Sequence, residues 1–262
     1  MKTIGAHSHS DRENIIKMLV PHIKDMFGDN LVALAVCCSF ARNDDSDYSD
    51  LELTAFVKEM PDGKSRDGVA KIYDGMLIEL IWMTRETYLQ STLDLNEYWH
   101  YSGSDTLVPI INEEFIREIA SYQPKDLKKK CLDQAVGAFT EVQEATAKVL
   151  TAIAQSNRTG IPLLFFEMLN QFLRILSFLN QTPYTTASGM IAQVRYFPIQ
   201  PASLAALLEI ADSGEYQDFV TLRETTIAVF EELEMLFESL DLPLEDDNLD
   251  PDKPVHEMRK MQ

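Results

Sequence analysis

The segment SDYSDLELTAFV, residues 46–57, passes from a polar loop into a stretch in which acidic and apolar residues alternate. A period of two residues is typical of a β-strand with one face turned towards a core. On such a strand Asp50 and Glu52 point to one face, whereas Leu51 and Leu53 point to the other. The segment therefore predicts a strand that carries two carboxylates on one face, directly after a loop.

Two further strands are predicted around this segment. LVALAVC, residues 31–37, is continuously apolar, as in a strand that is covered on both faces. MLIELIWM, which starts at Met76, is also apolar except for Glu79. A charged side chain in a buried strand needs a partner, so Glu79 is a candidate for a third carboxylate beside Asp50 and Glu52 if the two strands are neighbours.

A helix is predicted before the first strand. Ser10 and Glu13 have the spacing of a capping box, and apolar residues at helical spacing continue to about Gly28. Pro21 should bend this helix or divide it in two. PDGKSRDG, residues 61–68, has the composition of a turn or loop.

The character of the chain changes after Pro124. Short helices are expected up to about residue 120, whereas long segments with helical periodicity dominate afterwards. These segments cover residues 125–157, 161–181, 186–196, 201–212 and 216–240. We therefore predict an α+β protein, with a mixed β-sheet domain and flanking helices followed by a helical bundle. The predicted divisions are residues 1–120, residues 121–245 and an acidic, proline-containing tail at residues 246–262.

The charge balance limits the possible partners. The chain has 42 acidic and 23 basic residues, a formal net charge of −19. Without a basic block, such a chain is a poor candidate for binding nucleic acid or an anionic membrane. A small acceptor that is cationic or neutral is the more favourable ligand.

The cysteines and the N-terminus indicate a cytoplasmic protein. Three cysteines, at positions 37, 38 and 131, form neither an even set nor a CxxC pair, which argues against a disulfide framework or a structural zinc site. No signal-peptide core and no run of eighteen apolar residues is found. His7 and His9 are expected to be solvated residues of a terminal leader.

The carboxylates of the central segment suit a metal ion. Asp50 and Glu52 offer two hard oxygen ligands on one strand face, a combination that suits Mg²⁺ bound to substrate phosphates. Three carboxylates including Glu79 would repel one another without a cation between them. The alternative is that Asp50 and Glu52 line the solvated face of an edge strand.

These motifs resemble the nucleotidyltransferase fold. Ser39 and Arg42 after a buried strand, the segment with Asp50 and Glu52, and Glu79 on a later strand carry the resemblance. Within this fold the chain is most similar to the kanamycin nucleotidyltransferase family, the aminoglycoside 4′-nucleotidyltransferases. The narrower similarity lies in YSDLE at residues 48–52, IEL at 78–80 and YTTAS at 184–188, which together cover both halves of the chain.

The resemblance implies an enzyme with a defined reaction. A nucleoside monophosphate passes from a nucleoside triphosphate, usually ATP, to a hydroxyl of an aminoglycoside-like acceptor, and pyrophosphate is released. Asp50 and Glu52 would bind Mg²⁺. Ser39, Arg42 and Ser49 would bind the nucleotide. The resemblance further implies a homodimer whose active site lies at the subunit interface.

A catalytic base is also implied by the resemblance. Counting back from the family's YTTAS tyrosine places a base at Glu144 and a basic residue at Lys148. Glu141, Glu144 and Lys148 share one helix face by their spacing, and Glu141 or Glu79 would bind substrate or metal. The alternative is an ordinary solvated face with a Glu-to-Lys ion pair.

Two departures from the family pattern leave other functions open. The family has glycine where this chain has Cys38, and lysine where it has Leu77. A nucleotide-binding or sensing protein that keeps the fold without turnover is therefore an alternative. A non-catalytic, antitoxin-like interaction protein is another, although the long helical half disfavours it.

Two other segments have open interpretations. Trp99, His100 and Tyr101 either line a ligand pocket or anchor a loop to the core. The segment IPLLFFEMLNQFLRILSFL, from residue 161, is predicted to be a buried bundle helix. Its polar residues, Glu167, Asn170 and Arg174, are expected to meet partners at an edge or interface.

Overall fold

The computed structural model describes residues 4–93, 95, 98–102 and 106–244. These residues fall into two compact units: residues 4–93 and 106–125 form the first, and residues 95, 98–102 and 126–244 form the second. The first unit contains a β-sheet with helices, and the second is helical. The predicted α+β class is thus confirmed. The predicted acidic tail at residues 246–262 lies outside the described residues.

The sheet of the first unit has five strands in the order β3-β4-β2-β1-β5. The pair β2 and β4 is parallel, and the other three pairs are antiparallel, so the sheet is mixed as predicted. Its strands are β1 (Leu31–Val36), β2 (Leu51–Val57), β3 (Arg66–Tyr73), β4 (Met76–Met83) and β5 (Val108–Ile111). Its helices are α1 (His9–Phe27), α2 (Cys38–Arg42), α3 (Arg85–Leu93) and α5 (Glu113–Ala120).

Two of these strands were not predicted. β3 begins inside the segment that we expected to be a loop, and β5 lies where only short helices were expected. Both strands are at the edges of the sheet. Most residues of β3 are exposed, and β5 has only 4 residues, so neither strand has a strong apolar pattern.

Both faces of the sheet are covered by helices. On one face, Leu51 and Leu53 of β2 pack in a cluster with Ile15 and Ile23 of α1. On the other face, Phe56, Ala33 and Ala35 pack with Leu89 of α3 and with Ile116 and Ile119 of α5. This double coverage explains why β1 has a continuously apolar sequence.

Helix α1 differs from the prediction at two points. Its N-cap is Ser8, whose side chain accepts a hydrogen bond from the Asp11 backbone N–H while Asp11 accepts one from Ser8, so the capping box lies two residues before the predicted one. The helix also continues through Pro21 instead of dividing there. Burial of Ile15 and Ile23 on either side of the proline holds both parts of the helix against the sheet.

The second unit is built around two long helices. Its elements are α4 (Trp99–Ser102), α6 (Leu127–Ala154), α7 (Ile161–Leu179), α8 (Met190–Val194), α9 (Leu204–Ser213) and α10 (Phe219–Ser239). α6 and α7 pack along each other, and their buried side chains form one core with those of α9 and α10. The predicted helical segments are therefore present, although the one at 186–196 is reduced to the short α8.

Helix α7 has the length and hydropathy of a membrane-spanning helix, and it is the one described helix with both properties. In the structure 56% of its most apolar 18-residue stretch is buried inside the protein. Phe165, Phe172 and Phe178 are fully buried in the core of the second unit. The predicted role of this segment as the buried helix of the bundle is confirmed.

Candidate active site

The first unit brings three carboxylates together. β2 and β4 are parallel neighbours, and Glu52 pairs directly with Glu79 in their register. Oxygen atoms of Asp50, Glu52 and Glu79 all lie within 4.8 Å of one another, and the three side chains are half-buried. Leu51 and Leu53 are 0% and 2% exposed on the opposite face, so a shift of this register by one residue would bury the carboxylates instead.

This cluster has the chemistry of a divalent cation site. Like charges at this separation raise the free energy of the ionised cluster unless positive charge lies between them. Carboxylate oxygens are the ligands that Mg²⁺ prefers, and Mg²⁺ commonly combines one or two of them with substrate phosphates. The donor set of Asp50, Glu52 and Glu79 therefore fits the metal expected from the sequence.

The turn that follows β1 lies beside the carboxylate strand. The Cys37 backbone N–H donates to the Glu52 carbonyl over 3.1 Å, and α2 begins at the next residue. Ser39 and Arg42 both lie on α2, and their contact with phosphates stays a prediction. The Arg42 Nε donates to Asp44 Oδ2 over 3.0 Å, which holds the guanidinium beside the loop.

Cys38, at the first position of α2, has a left-handed backbone conformation with φ of 61°. This region is disfavoured for residues with a Cβ atom and is readily adopted by glycine. The family that the sequence resembles has glycine at this position, and the backbone of this turn has a conformation that suits glycine. Cys38 is therefore a strained residue next to Ser39.

Ser49, the third predicted nucleotide-binding residue, is part of the loop before β2. Its hydroxyl oxygen accepts a hydrogen bond from the Ser46 backbone N–H over 2.9 Å. Its carbonyl accepts two hydrogen bonds from the guanidinium of Arg12, over 2.6 and 3.2 Å. Ser49 is thus held by its own loop and by α1.

Arg12 and His9 are residues of this region that the sequence interpretation missed. Arg12 is fully buried, and His9 is not a solvated leader residue, because its Nδ1 is 2.7 Å from Asp45 Oδ1 and its ring stacks on Phe40. One signal in the sequence could have identified Arg12. It lies three residues before Ile15, on the apolar stripe of α1, where a charged residue must be paired.

The predicted base and its neighbours lie on α6 in the second unit. Glu144 Oε1 is 3.1 Å from Lys148 Nζ, and their side chains are 66% and 46% exposed. The hydrogen bond and the charge of Glu144 raise the pKa of Lys148. The pair thus has the geometry of an i,i+4 ion pair on a solvated face, and its catalytic role stays a prediction.

Glu141 is already engaged with another side chain. Its Oε2 accepts a hydrogen bond from Nη1 of Arg174 on α7. The Arg174 side chain is 12% exposed, and its Nε is buried with no hydrogen-bond acceptor among the described residues. Glu141 is thus a partner of Arg174, for which the sequence predicted one. A substrate ammonium group would have to compete with this guanidinium for the Glu141 carboxylate.

The aromatic segment before β5 contributes both to a pocket and to the core. Trp99 stacks on Phe178 with ring centroids 5.9 Å apart, which anchors α4 to the second unit. The neighbouring side chains line a pocket of about 310 Å³ in the same unit. Its lining consists of Tyr98, His100, Tyr101, Glu167, Asn170, Gln171 and Arg174. Trp99 thus anchors the segment to the core, whereas His100 and Tyr101 line a pocket. Binding of a ligand in this pocket stays a prediction.

The segment YTTAS is a structural connection in the second unit. Tyr184 is fully buried, and its hydroxyl donates to the Leu173 carbonyl of α7 over 2.8 Å. Burial raises the pKa of Tyr184, so this phenol stays protonated at neutral pH. The Thr186 hydroxyl accepts a hydrogen bond from Gly189 N–H just before α8. The tyrosine thus fixes the connection between α7 and α8.

Comparison with known proteins assigns the C-terminal half to a family. Residues 114–243 match the family model described as the KNTase C-terminal domain, where KNTase is kanamycin nucleotidyltransferase. A search of curated protein sequences finds no match. One similar solved structure is a nucleotidyltransferase-like protein from Exiguobacterium sibiricum 255-15, at 11% identity and a TM-score of 0.48, covering 86% of this chain and 75% of that one. Through residues 114–243 the chain belongs to the kanamycin nucleotidyltransferase family, and it is a nucleotidyltransferase.

Proposed function

We propose that this nucleotidyltransferase moves a nucleoside monophosphate from ATP to a hydroxyl of a small, cationic, aminoglycoside-like acceptor and releases pyrophosphate. The observation that supports this proposal most strongly is the cluster of Asp50, Glu52 and Glu79, whose oxygens lie within 4.8 Å of one another beside α2. Carboxylates this close repel one another, and the divalent cation that accompanies a nucleotide would offset this repulsion.

Asp50 and Glu52 would hold Mg²⁺, with Glu79 completing the cluster or binding an ammonium group of the acceptor. When bound, the metal neutralises charge on the phosphate oxygens of the nucleotide. Glu52 and Glu79 have fixed positions because their strands are paired in register. Such fixed positions matter because catalysis of this reaction depends mainly on orientation and on charge neutralisation.

Ser39 and Arg42 on α2, together with Ser49, would bind the phosphates of ATP. Arg42 is held beside the loop by Asp44, and the Ser49 loop is held by Arg12. Lys148 is positively charged at neutral pH, and the hydrogen bond with Glu144 raises its pKa further. It would offset negative charge near the α-phosphorus.

Glu144 would act as the general base. It would take the proton from the acceptor hydroxyl as the hydroxyl oxygen forms a bond to the α-phosphorus. The bond between the α-phosphorus and the oxygen that bridges the α- and β-phosphates breaks in the same displacement, and this oxygen leaves with pyrophosphate. The exposed position of Glu144 leaves its carboxylate accessible to an acceptor.

The acidic composition supports a cationic acceptor. A net charge of −19 raises the local concentration of polycations at the protein surface.

We further propose a cytoplasmic homodimer with the site at the subunit interface, on the strength of the family resemblance. The second candidate function is nucleotide binding without turnover, and the strained Cys38 beside Ser39 is the observation that favours it.

The test is to incubate the protein with Mg²⁺ and ATP and a panel of aminoglycosides and lincosamides, and to measure pyrophosphate release and acceptor mass. We expect release with at least one acceptor, whose mass increases by one nucleoside monophosphate. ATP binding without release for any acceptor would favour the second candidate. A mass increase on a neutral acceptor alone would contradict the proposed cationic class.

A further inference from the structure

A buried guanidinium lies beneath the loop that ends at Asp50. Arg12, in the first turns of α1, is 0% exposed. Its Nη2 donates to the carbonyls of Ser46 and Ser49 over 2.7 and 2.6 Å. Its Nη1 donates to the His7 carbonyl over 2.8 Å and to Asp45 Oδ2 over 3.0 Å. One side chain thus fixes several points of the loop between α2 and β2.

The most important of these contacts is the one with Ser49. The Ser49 carbonyl belongs to the peptide group that leads directly into Asp50, and it accepts hydrogen bonds from both Nη2 and Nε of Arg12. Because a peptide group is planar, fixing this carbonyl also fixes the direction of the backbone N–H of Asp50. Asp50 precedes β2, so the sheet alone does not hold it in place.

The same network reaches the phosphate-binding turn. Asp45, whose side chain is 3% exposed, accepts from Arg12 through Oδ2 and lies 2.7 Å from His9 Nδ1 through Oδ1. The His9 ring stacks on Phe40 of α2 with a centroid distance of 4.2 Å and an interplanar angle of 6°. The first turns of α1 therefore contact both parts of the proposed nucleotide site.

We propose that Arg12, with Asp45 and His9, is a positioning residue that sets the location of Asp50 relative to α2. This inference rests on the proposed function, since it concerns the same carboxylates. Arginine suits this task better than lysine, because a planar guanidinium can donate in several fixed directions at once. A buried ion pair contributes little net stability compared with apolar packing, and apolar contacts of Ile15 and Ile23 already attach α1 to the sheet.

The test measures Mn²⁺ affinity by electron paramagnetic resonance, together with thermal unfolding, on the full chain without nucleotide. The variants are Arg12→Lys, which keeps the charge and loses the fork of donors, and Asp45→Asn, which keeps the shape. The control is Ile119→Ala, which removes a buried side chain of the same unit that lies in the other sheet cluster.

Substitution of residues that orient metal ligands typically weakens metal binding about 10- to 100-fold, and we expect at least about a tenfold loss in both variants under conditions where they are folded. The control should melt at a lower temperature with unchanged Mn²⁺ affinity. Wild-type affinity in a folded Arg12→Lys or Asp45→Asn variant would overturn the positioning role. Absence of Mn²⁺ binding to the unchanged chain would instead overturn the metal site, and the positioning role with it.

Discussion

Glu52 of β2 and Glu79 of β4 are direct partners in the one parallel pair of the described sheet, with their carboxylates on the same face as Asp50. Sequence-distant residues are thereby brought within 4.8 Å by backbone pairing. Repulsion between like charges at this distance destabilises the metal-free protein, and a bound metal ion would offset it.

The first prediction concerns this repulsion. Glu79→Gln should raise the melting temperature in EDTA, because it removes a like-charge interaction that is worth about 1 kcal/mol at this distance even with the dielectric constant of water. In Mn²⁺ the unchanged chain should gain more stability than the variant. Thermal unfolding in both buffers measures this difference. Glu114→Gln, an exposed change on α5, is the control, and equal responses of all three proteins would contradict the proposed cluster.

The second prediction concerns the base. Glu144→Gln should lower turnover about 10²- to 10⁴-fold while leaving ATP affinity unchanged, because proton transfer in the transition state is lost without a ground-state contact. Steady-state rates and equilibrium ATP binding measure the two quantities separately. Glu231→Gln on α10 should change neither. An equal loss of turnover and ATP affinity in the Glu144 variant would argue against its role as base.

The third prediction concerns the strained turn. Cys38→Gly should be more stable than Cys38→Ala by about 1 kcal/mol, because alanine keeps the Cβ penalty at a φ of 61° and glycine does not. Both variants lack the thiol, so the difference isolates the backbone. Chemical denaturation of the two proteins measures it. A Cys38→Ala variant as stable as Cys38→Gly would show that the turn carries no such strain.

The fourth prediction concerns the stability of the fold at acidic pH. Asp218 caps α10 by accepting hydrogen bonds from the Thr221 hydroxyl and backbone N–H, and these lower its pKa from the ordinary value of 3.8. Since the folded pKa is the lower one, the stabilisation is present above pH 3.8 and is lost as the pH falls through the folded value. Hydrogen bonds lower the pKa of Asp11 and Asp67 as well.

Melting temperatures at pH 7 and pH 3 test whether the stabilisation by Asp218 is lost on acidification. The unchanged chain should lose stability on acidification, and Asp218→Asn should lose less, because asparagine can still cap the helix but does not titrate. If the variant and the unchanged chain lost the same amount, Asp218 would not contribute to the acid response.

Much of the sheet could be predicted from local patterns. The alternation in β2 and the apolar runs of β1 and β4 indicate strands, and the face shared by Asp50 and Glu52 follows from their spacing. The adjacency of β2 and β4 could not be derived in this way. Strand pairing is a contact between distant segments, and the pattern of β4 fixes neither its neighbour nor its register.

Other features were missed for identifiable reasons. β3 and β5 are edge strands, and the exposed positions of β3 include Lys71 and Tyr73, so their sequences lack a continuous apolar face. The capping box was misplaced because two overlapping signatures occur, one at Ser8 and one at Ser10. Arg12 lies within the charged segment DREN, where a solvated arginine is the usual outcome.

The most direct test of the central claim is a comparison of pyrophosphate release by the unchanged chain and by Asp50→Asn, with Mg²⁺, ATP and the acceptor panel. Because a bound metal supplies several kcal/mol of charge stabilisation, we predict that the variant loses at least about a hundredfold in rate and binds Mn²⁺ weakly, with an unchanged circular dichroism spectrum. Equal rates of release by the two folded proteins would contradict the assignment of this carboxylate cluster as the metal site of the transferase.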